Sequence, residues 1–363
     1  MSLAKDLSDS VTNGLAELTH WSSGLRWIDV PEPVQRRCAM IFADDLSAIV
    51  AARNEPELRV MVELFARSSG PPEAAIFDES GRRFDRSTAA AVNGSAAAWC
   101  ELDSGYRRAV CHGGLYCIPA LLAEGEATGA TMEEMLRALL IGYETISRVA
   151  RTFSDRDLIL HPHASLAATG AAATVAALRK HPSDLAAAAI STAATLVTPG
   201  PFNHAVEGAL VRNVWPGAGG ASGIRAVDWT EIGITGRDES LYDVYSTVFG
   251  AAVCPNAISD GLGNVWAVSA GYHKLHACCQ YSHAAVEATL DVMSEISKLV
   301  DSTDIQSIHL DTHRLGRKLD NPSPSTTLAA KFSMQHVLAT AAHHGHTSIP
   351  RHHCLEPSDS RIT

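Results

Sequence analysis

The chain has 363 residues, 46% hydrophobic and 19% charged, with a net charge of −11 at pH 7. That apolar share suits a globular protein of one or two domains and excludes a disordered one. The acidic balance excludes nucleic acid as the main partner, because phosphate binding needs a basic face. A local cluster of Lys, Arg and His can still hold a small anion.

MSLAKDLSDS lacks the apolar core of a secretory signal, and no stretch is long and apolar enough to span a bilayer. The expectation is a soluble cytoplasmic protein without a membrane partner, mitochondrial location being the alternative. The eight cysteines contain no CxxC pair and read as free thiols, most of them small core residues.

In chain order, Pro33 fits the first turn of a helix over PVQRRCAMIFADDLSAIVAA. Thr131 and Glu134 form a capping box that opens a helix to Ala150, with Met132, Met135, Leu136, Leu139, Leu140, Tyr143 and Ile146 on one face. Ala164–Leu178 and the run after Asp184 are Ala-rich helices that must pack closely on other helices. Near residue 225 the chain turns richer in Gly, Asp, Ser and aromatics. A helix over 284–300 follows, and Ile305–Thr312 has the partial alternation of a strand. The reading is mostly α: a large helical domain over 1–228, a smaller α+β domain over 229–345 and an irregular tail over 346–363.

Four clusters carry possible chemistry. NGSAAAWCELDSGYRRAVCHGG (93–114) sets Glu101, Asp103, Tyr106, Arg107, Arg108 and His112 on a Gly-rich loop. That set suits general acid–base work, or equally a solvated loop whose acids pair with its own arginines. His161-Pro-His163 opens a helix, where backbone amides favour an anion; as a metal site it lacks visible further ligands. Arg212, in GALVRNVWPGAGGASG, needs an anion if buried, either a substrate carboxylate or a protein acid such as Glu207. The glycines after it lack dinucleotide-motif spacing. YHKLHACCQYSHAAVEA carries His273, Lys274, His276, Cys278, Cys279 and His283; it matches no structural zinc pattern, and adjacent core cysteines are the commoner reading than a nucleophilic thiol.

In this order, with ADDLSAIVAA before them and TTLAAKFSMQHVLATA after, these segments resemble the MmgE/PrpD family up to about residue 345. That family includes 2-methylcitrate dehydratase, cis-aconitate decarboxylase and iminodisuccinate epimerase. The resemblance implies a helical domain, an α+β lid with the active site between them, no cofactor and no metal, and a homodimer. It puts Asp103, His112, His161 and Lys274 in catalytic positions, and Glu101, Tyr143, His163, Arg212 and His283 in substrate-binding ones. Departures stand beside it. ELDSGY replaces a DFDD-like loop, Arg212 stands where a lysine is common, Cys279 replaces a histidine of the decarboxylase branch, and the family chain usually continues well past residue 345.

The function that follows is a cofactor-independent lyase, a decarboxylase or dehydratase, acting on a small polycarboxylate such as cis-aconitate or an alkylcitrate. Cations hold the carboxylates while a histidine or Asp103 moves a proton at the neighbouring carbon. The alternatives are an epimerase of the iminodisuccinate type, and a non-catalytic relative that binds a polycarboxylate or a homologous partner. A metal-dependent hydrolase ranks last, for want of carboxylate ligands at a recognisable spacing.

Overall fold

A computed structural model describes residues 3–155, 157–296 and 302–347. The helices are α1 (Leu3–Gly24), α2 (Glu32–Ala51), α3 (Pro56–Phe65), α4 (Arg86–Trp99), α5 (Gly113–Thr128), α6 (Met132–Thr152), α7 (Pro162–Leu178), α8 (Ser183–Ala194), α9 (Asn203–Val206), α10 (Val211–Glu231), α11 (His283–Ile296), α12 (Thr327–Lys331) and α13 (Met334–His344). Six two-residue strands pair antiparallel: β1 (Ala74–Ala75) with β2 (Arg83–Phe84), β3 (Gly105–Tyr106) with β6 (Gly271–Tyr272), and β4 (Phe153–Ser154) with β5 (Ala252–Val253). The fold is mostly α. No helix among the described residues is long and apolar enough to cross a membrane.

The chain forms two compact units, residues 1–99, 103–201 and 213–273 in the first and residues 100–102, 202–212 and 274–363 in the second. Compactness thus divides the chain differently from a single cut at 228/229. In the first unit α7 runs through the core, buried along nearly its whole length, against α5, α6 and α8. Its side chains are small, so the neighbouring helices approach closely and bury apolar surface at short range. The capping box forms as expected: the Thr131 hydroxyl accepts from the Glu134 amide, and the Glu134 carboxylate accepts from the Thr131 amide at 2.9 Å. Buried acids find arginines here, Glu144 with Arg148 at 3.3 Å and Glu124 with Arg179 at 2.8 Å.

The Gly-rich run after Arg212, singled out in the sequence for its arginine and for glycines without dinucleotide-motif spacing, is helical throughout α10. Gly and Pro disfavour a helix intrinsically, and tertiary packing overrides that preference. A Cβ on Gly94 of α4 would lie 2.6 Å from the Gly217 Cα, and one on Gly223 would lie 2.5 Å from the Ala171 Cβ of α7. These glycines are the contact surface of three crossing helices.

The second unit packs α11 on α13 and α9 on α12. The strand expected over Ile305–Thr312 does not form: no ladder pairs this segment among the described residues, and Ile308 is 46% exposed. An alternating pattern needs a neighbouring strand to satisfy its backbone, and none is supplied. Instead the segment and α13 line a 630 Å³ cavity. The tail expected from residue 346 lies outside the described residues beyond Thr347, as do Cys354 and residues 297–300 of the expected 284–300 helix.

Candidate active site

In the first unit the chemistry gathers at two helix starts. His112 is the N-cap of α5, with an extended-side φ of −120° and no capping bond from its ring. The ring is therefore available to the preceding loop. Its Nδ1 lies 2.6 Å from Asp103 Oδ2 and 3.1 Å from the Ser104 carbonyl. Both partners accept, so Nδ1 carries the proton and the basic lone pair falls to Nε2. Asp103 is fully buried and His112 is 6% exposed, so the pair works in a low dielectric.

Behind that pair, Asp45 of α2 accepts from the Ser104 amide at 2.9 Å and from its hydroxyl at 2.6 Å. Burial pushes the Asp45 carboxyl up to about 8, against the lowering effect of the Ser104 hydrogen bonds, and Asp103 adds to the rise. A neutral Asp45 avoids placing two buried negative charges beside Ser104, one from α2 and one from the loop.

His161 caps α7. Its amide donates to the Gly200 carbonyl at 2.8 Å, and its Nδ1 accepts from the His163 amide at 3.2 Å. Accepting at Nδ1 leaves the neutral ring's proton on Nε2. His163 shares a 3.0 Å hydrogen bond through Nδ1 with the Tyr116 hydroxyl, four residues beyond His112 on α5. The His112 and His163 rings stand edge to face at 4.9 Å, and those of His161 and His163 at 4.4 Å. Trp215 of α10 covers His161 at 5.7 Å. Three imidazoles and a dyad carboxylate thus converge, with an indole limiting water on one side.

The second unit holds the other charged group. Glu101, with a left-handed φ of 55°, is 1% exposed and meets two buried cations. Arg212 pairs with its Oε1, and Lys274 Nζ donates to its Oε2 at 2.9 Å. The Phe332 ring lies 5.0 Å from the Arg212 guanidinium. Arg212 therefore takes Glu101 as its acid, not Glu207. The left-handed backbone at a non-glycine residue is strain held in place by this ion network.

Two further candidates are Tyr143 in the first unit and His283 in the second. Tyr143 is fully buried, its hydroxyl donating to the Gly105 carbonyl at 3.3 Å beneath β3, and burial raises its phenol well above the usual value. His283 is half-buried, with Nε2 at 3.2 Å from the Cys278 carbonyl; burial, with Lys274 adding, lowers it to about 4, so it is neutral at pH 7. Burial also raises Cys278 to about 11 and Cys279 to about 12, which makes them core thiols and poor nucleophiles. The 630 Å³ cavity holds none of these groups.

Reading the sequence missed Asp45, Ser104, Tyr116 and Phe332. Tyr116 was findable from its helical spacing after His112, and Asp45 from an acid pair inside an apolar helix; Phe332 meets Arg212 only through the fold.

Comparison with known proteins agrees in order and extent. Residues 16–257 match the MmgE/PrpD N-terminal domain and residues 276–362 the MmgE/PrpD C-terminal domain, past residue 345 where the motif resemblance stopped. The chain is 24% identical over 356 residues to a cis-aconitate decarboxylase of Aspergillus terreus, covering 92% of this chain and 72% of that protein. It is 25% identical over 303 residues to a cis-aconitate decarboxylase-like protein of Aspergillus oryzae, covering 78% of this chain and 62% of that one. With both domain patterns matched in sequence order, the chain belongs to the MmgE/PrpD family.

Proposed function

We propose that this chain is a lyase that acts on a small polycarboxylate, such as cis-aconitate or an alkylcitrate, by moving a proton at the carbon next to a carboxylate. The observation that carries the reading is the buried Asp103–His112 pair at 2.6 Å. Asp103 holds Nδ1–H and so leaves the lone pair on Nε2, which takes or returns the proton. In dehydration, Nε2 removes the α-proton, and the C–O bond to the β-hydroxyl breaks as the resulting imidazolium protonates that oxygen, which leaves as water and restores the neutral His112. In decarboxylation the C–CO2 bond breaks, its electron pair stays on carbon and the imidazolium supplies the proton that quenches it. His161 and His163 serve as hydrogen-bond donors to the carboxylates. The decarboxylase names of the Aspergillus relatives support this class of chemistry. The active species is a homodimer, and the reaction runs without a cofactor.

Lys274 and Arg212 are suited to a carboxylate, since one already sits on them: that of Glu101. This same pairing favours a second reading, a non-catalytic relative that binds a polycarboxylate or a homologous chain, because one carboxylate already occupies both cations before any ligand arrives. Proton NMR of the folded protein in D2O with cis-aconitate, 2-methylcitrate and iminodisuccinate separates the two. A new product of changed constitution, lost in His112→Ala, supports the lyase. Exchange without a change of constitution indicates an epimerase, and no exchange with any of the three sinks both catalytic readings.

A further inference from the structure

A 320 Å³ cavity in the first unit is lined by Arg108, Arg151, Phe153, Leu158, Tyr245 and Cys254 among others, and by none of Asp103, His112, His161 and His163. We propose that it binds an aliphatic monocarboxylate, with the carboxylate on Arg108 and Arg151 and the alkyl chain on the aromatic floor. The proposal stands apart from the lyase reading, in which neither arginine takes part.

The floor is apolar. Phe153, Leu158, Leu166 and Tyr245 are all buried, and the Phe153 and Tyr245 rings stack at 5.1 Å. The Tyr245 hydroxyl is already committed, donating to the Ser165 carbonyl at 2.7 Å and meeting the Thr169 hydroxyl at 2.9 Å. Only its ring faces a ligand, so the floor recognises hydrocarbon. A cavity of roughly 300 Å³ or more is of small-ligand size.

The rim is cationic. No carboxylate among the described residues forms an ion pair with Arg108 or Arg151, although Arg151 is half-buried. Arg108 and Arg151 both line this one cavity, so two guanidiniums are available to the same ligand. Asp155 is the acid among the lining residues. Its Oδ2 accepts from the Ile159 amide at 2.6 Å and the Leu160 amide at 3.0 Å, and its Oδ1 from the Asp157 amide at 3.1 Å. Two cations against one anion leave a single positive charge, which matches a monoanion.

The walls carry unusual backbone. Leu158 has a left-handed φ of 48°, and Tyr242–Val248, which supplies Tyr245, is a π-helix. Both conformations are disfavoured in isolation and concentrate where a ligand is held. Two such features around one cavity, together with paired arginines over an apolar floor, describe a built site.

Cys254 is exposed and lines the cavity, so its alkylation reports occupancy. Iodoacetamide modification of the full chain, followed by peptide mass spectrometry, is measured with hexanoate, hexanol or succinate present. Hexanoate is expected to slow the reaction saturably, roughly fivefold when it stands at about four times its Kd. Hexanol and succinate are expected to leave the rate unchanged. Arg108→Gln with Arg151→Gln should abolish the hexanoate effect while preserving the circular dichroism spectrum. Equal slowing by hexanol, or slowing that survives in the double variant, overturns the proposal, since the apolar floor alone would then suffice. No slowing at high hexanoate, or a Cys254 that does not react in ligand-free protein, overturns it as well. Should the double variant fail to fold, the hexanoate–hexanol comparison on the native chain decides.

Discussion

Lys274 Nζ donates to Glu101 Oε2 at 2.9 Å with both side chains 1% exposed, and Arg212 holds the other carboxylate oxygen. An acid shared by two buried cations is asymmetric in what its loss does. Glu101→Ala removes an acid from two buried cations at once and is expected to destabilise the protein by about 3–5 kcal/mol. Lys274→Ala leaves Glu101 on Arg212 and should cost less than that. Urea unfolding of the two variants tests the order; a larger loss for Lys274→Ala would contradict the shared-acid geometry.

His112→Ala is expected to lower turnover by about 10²–10⁴, the usual contribution of a positioned acid–base group. Asp103→Asn should lower it as well while leaving the substrate KM near its native value, because the amide no longer holds the right tautomer. A KM change with native kcat would assign Asp103 to binding instead.

Asp45 gives a pH signature. Burial holds its folded carboxyl near 8, against 3.8 for the free group. Between these values the unfolded chain has released the proton and the folded chain has kept it, so stability falls as pH rises through the window. The loss is complete above pH 8. Asp45→Asn keeps an acceptor for the Ser104 amide and removes the titration. Relative to the native chain, it should gain on the order of 3 kcal/mol in stability on going from pH 5 to pH 8. Parallel pH slopes for the two proteins would sink the assignment.

Two glycines of α10 should respond with opposite signs. A Cβ at Gly217 would collide with the Ala91 carbonyl oxygen, whereas at Gly220 the nearest atom is 3.6 Å away. Gly217→Ala should therefore destabilise by about 1–3 kcal/mol through overpacking. Gly220→Ala should be neutral or stabilise by up to about 1 kcal/mol through helix propensity. Melting temperatures of the pair read the difference directly.

The helices that the sequence announces are those whose signals are local. The box at Thr131 and Glu134, the apolar face above it and the proline in the first turn of α2 each act within a few residues. α10 has no such local signal, because its glycines serve distant backbones. The segment at 305–312 failed in the opposite way: alternation was present and a partner strand was not. At the site, residue types were legible and pairings were not. The histidines and acids announced themselves, yet Glu101 facing Arg212 and Lys274, and Tyr143 sitting in the core, depend on folding of segments far apart in sequence.

That distance has a consequence for the newborn chain. Lys274 lies 173 residues after Glu101. At ribosomal rates this means roughly 10–35 s during which the glutamate has no lysine to meet. Arg212 emerges in the interval, so the arginine is available to the acid before the lysine is. Until the later segment is made, residues 100–102 have no completed unit to join and the Asp103 side of the same loop must fold without them. The three-residue network of Glu101, Arg212 and Lys274 can thus be completed only after residue 274 has been made.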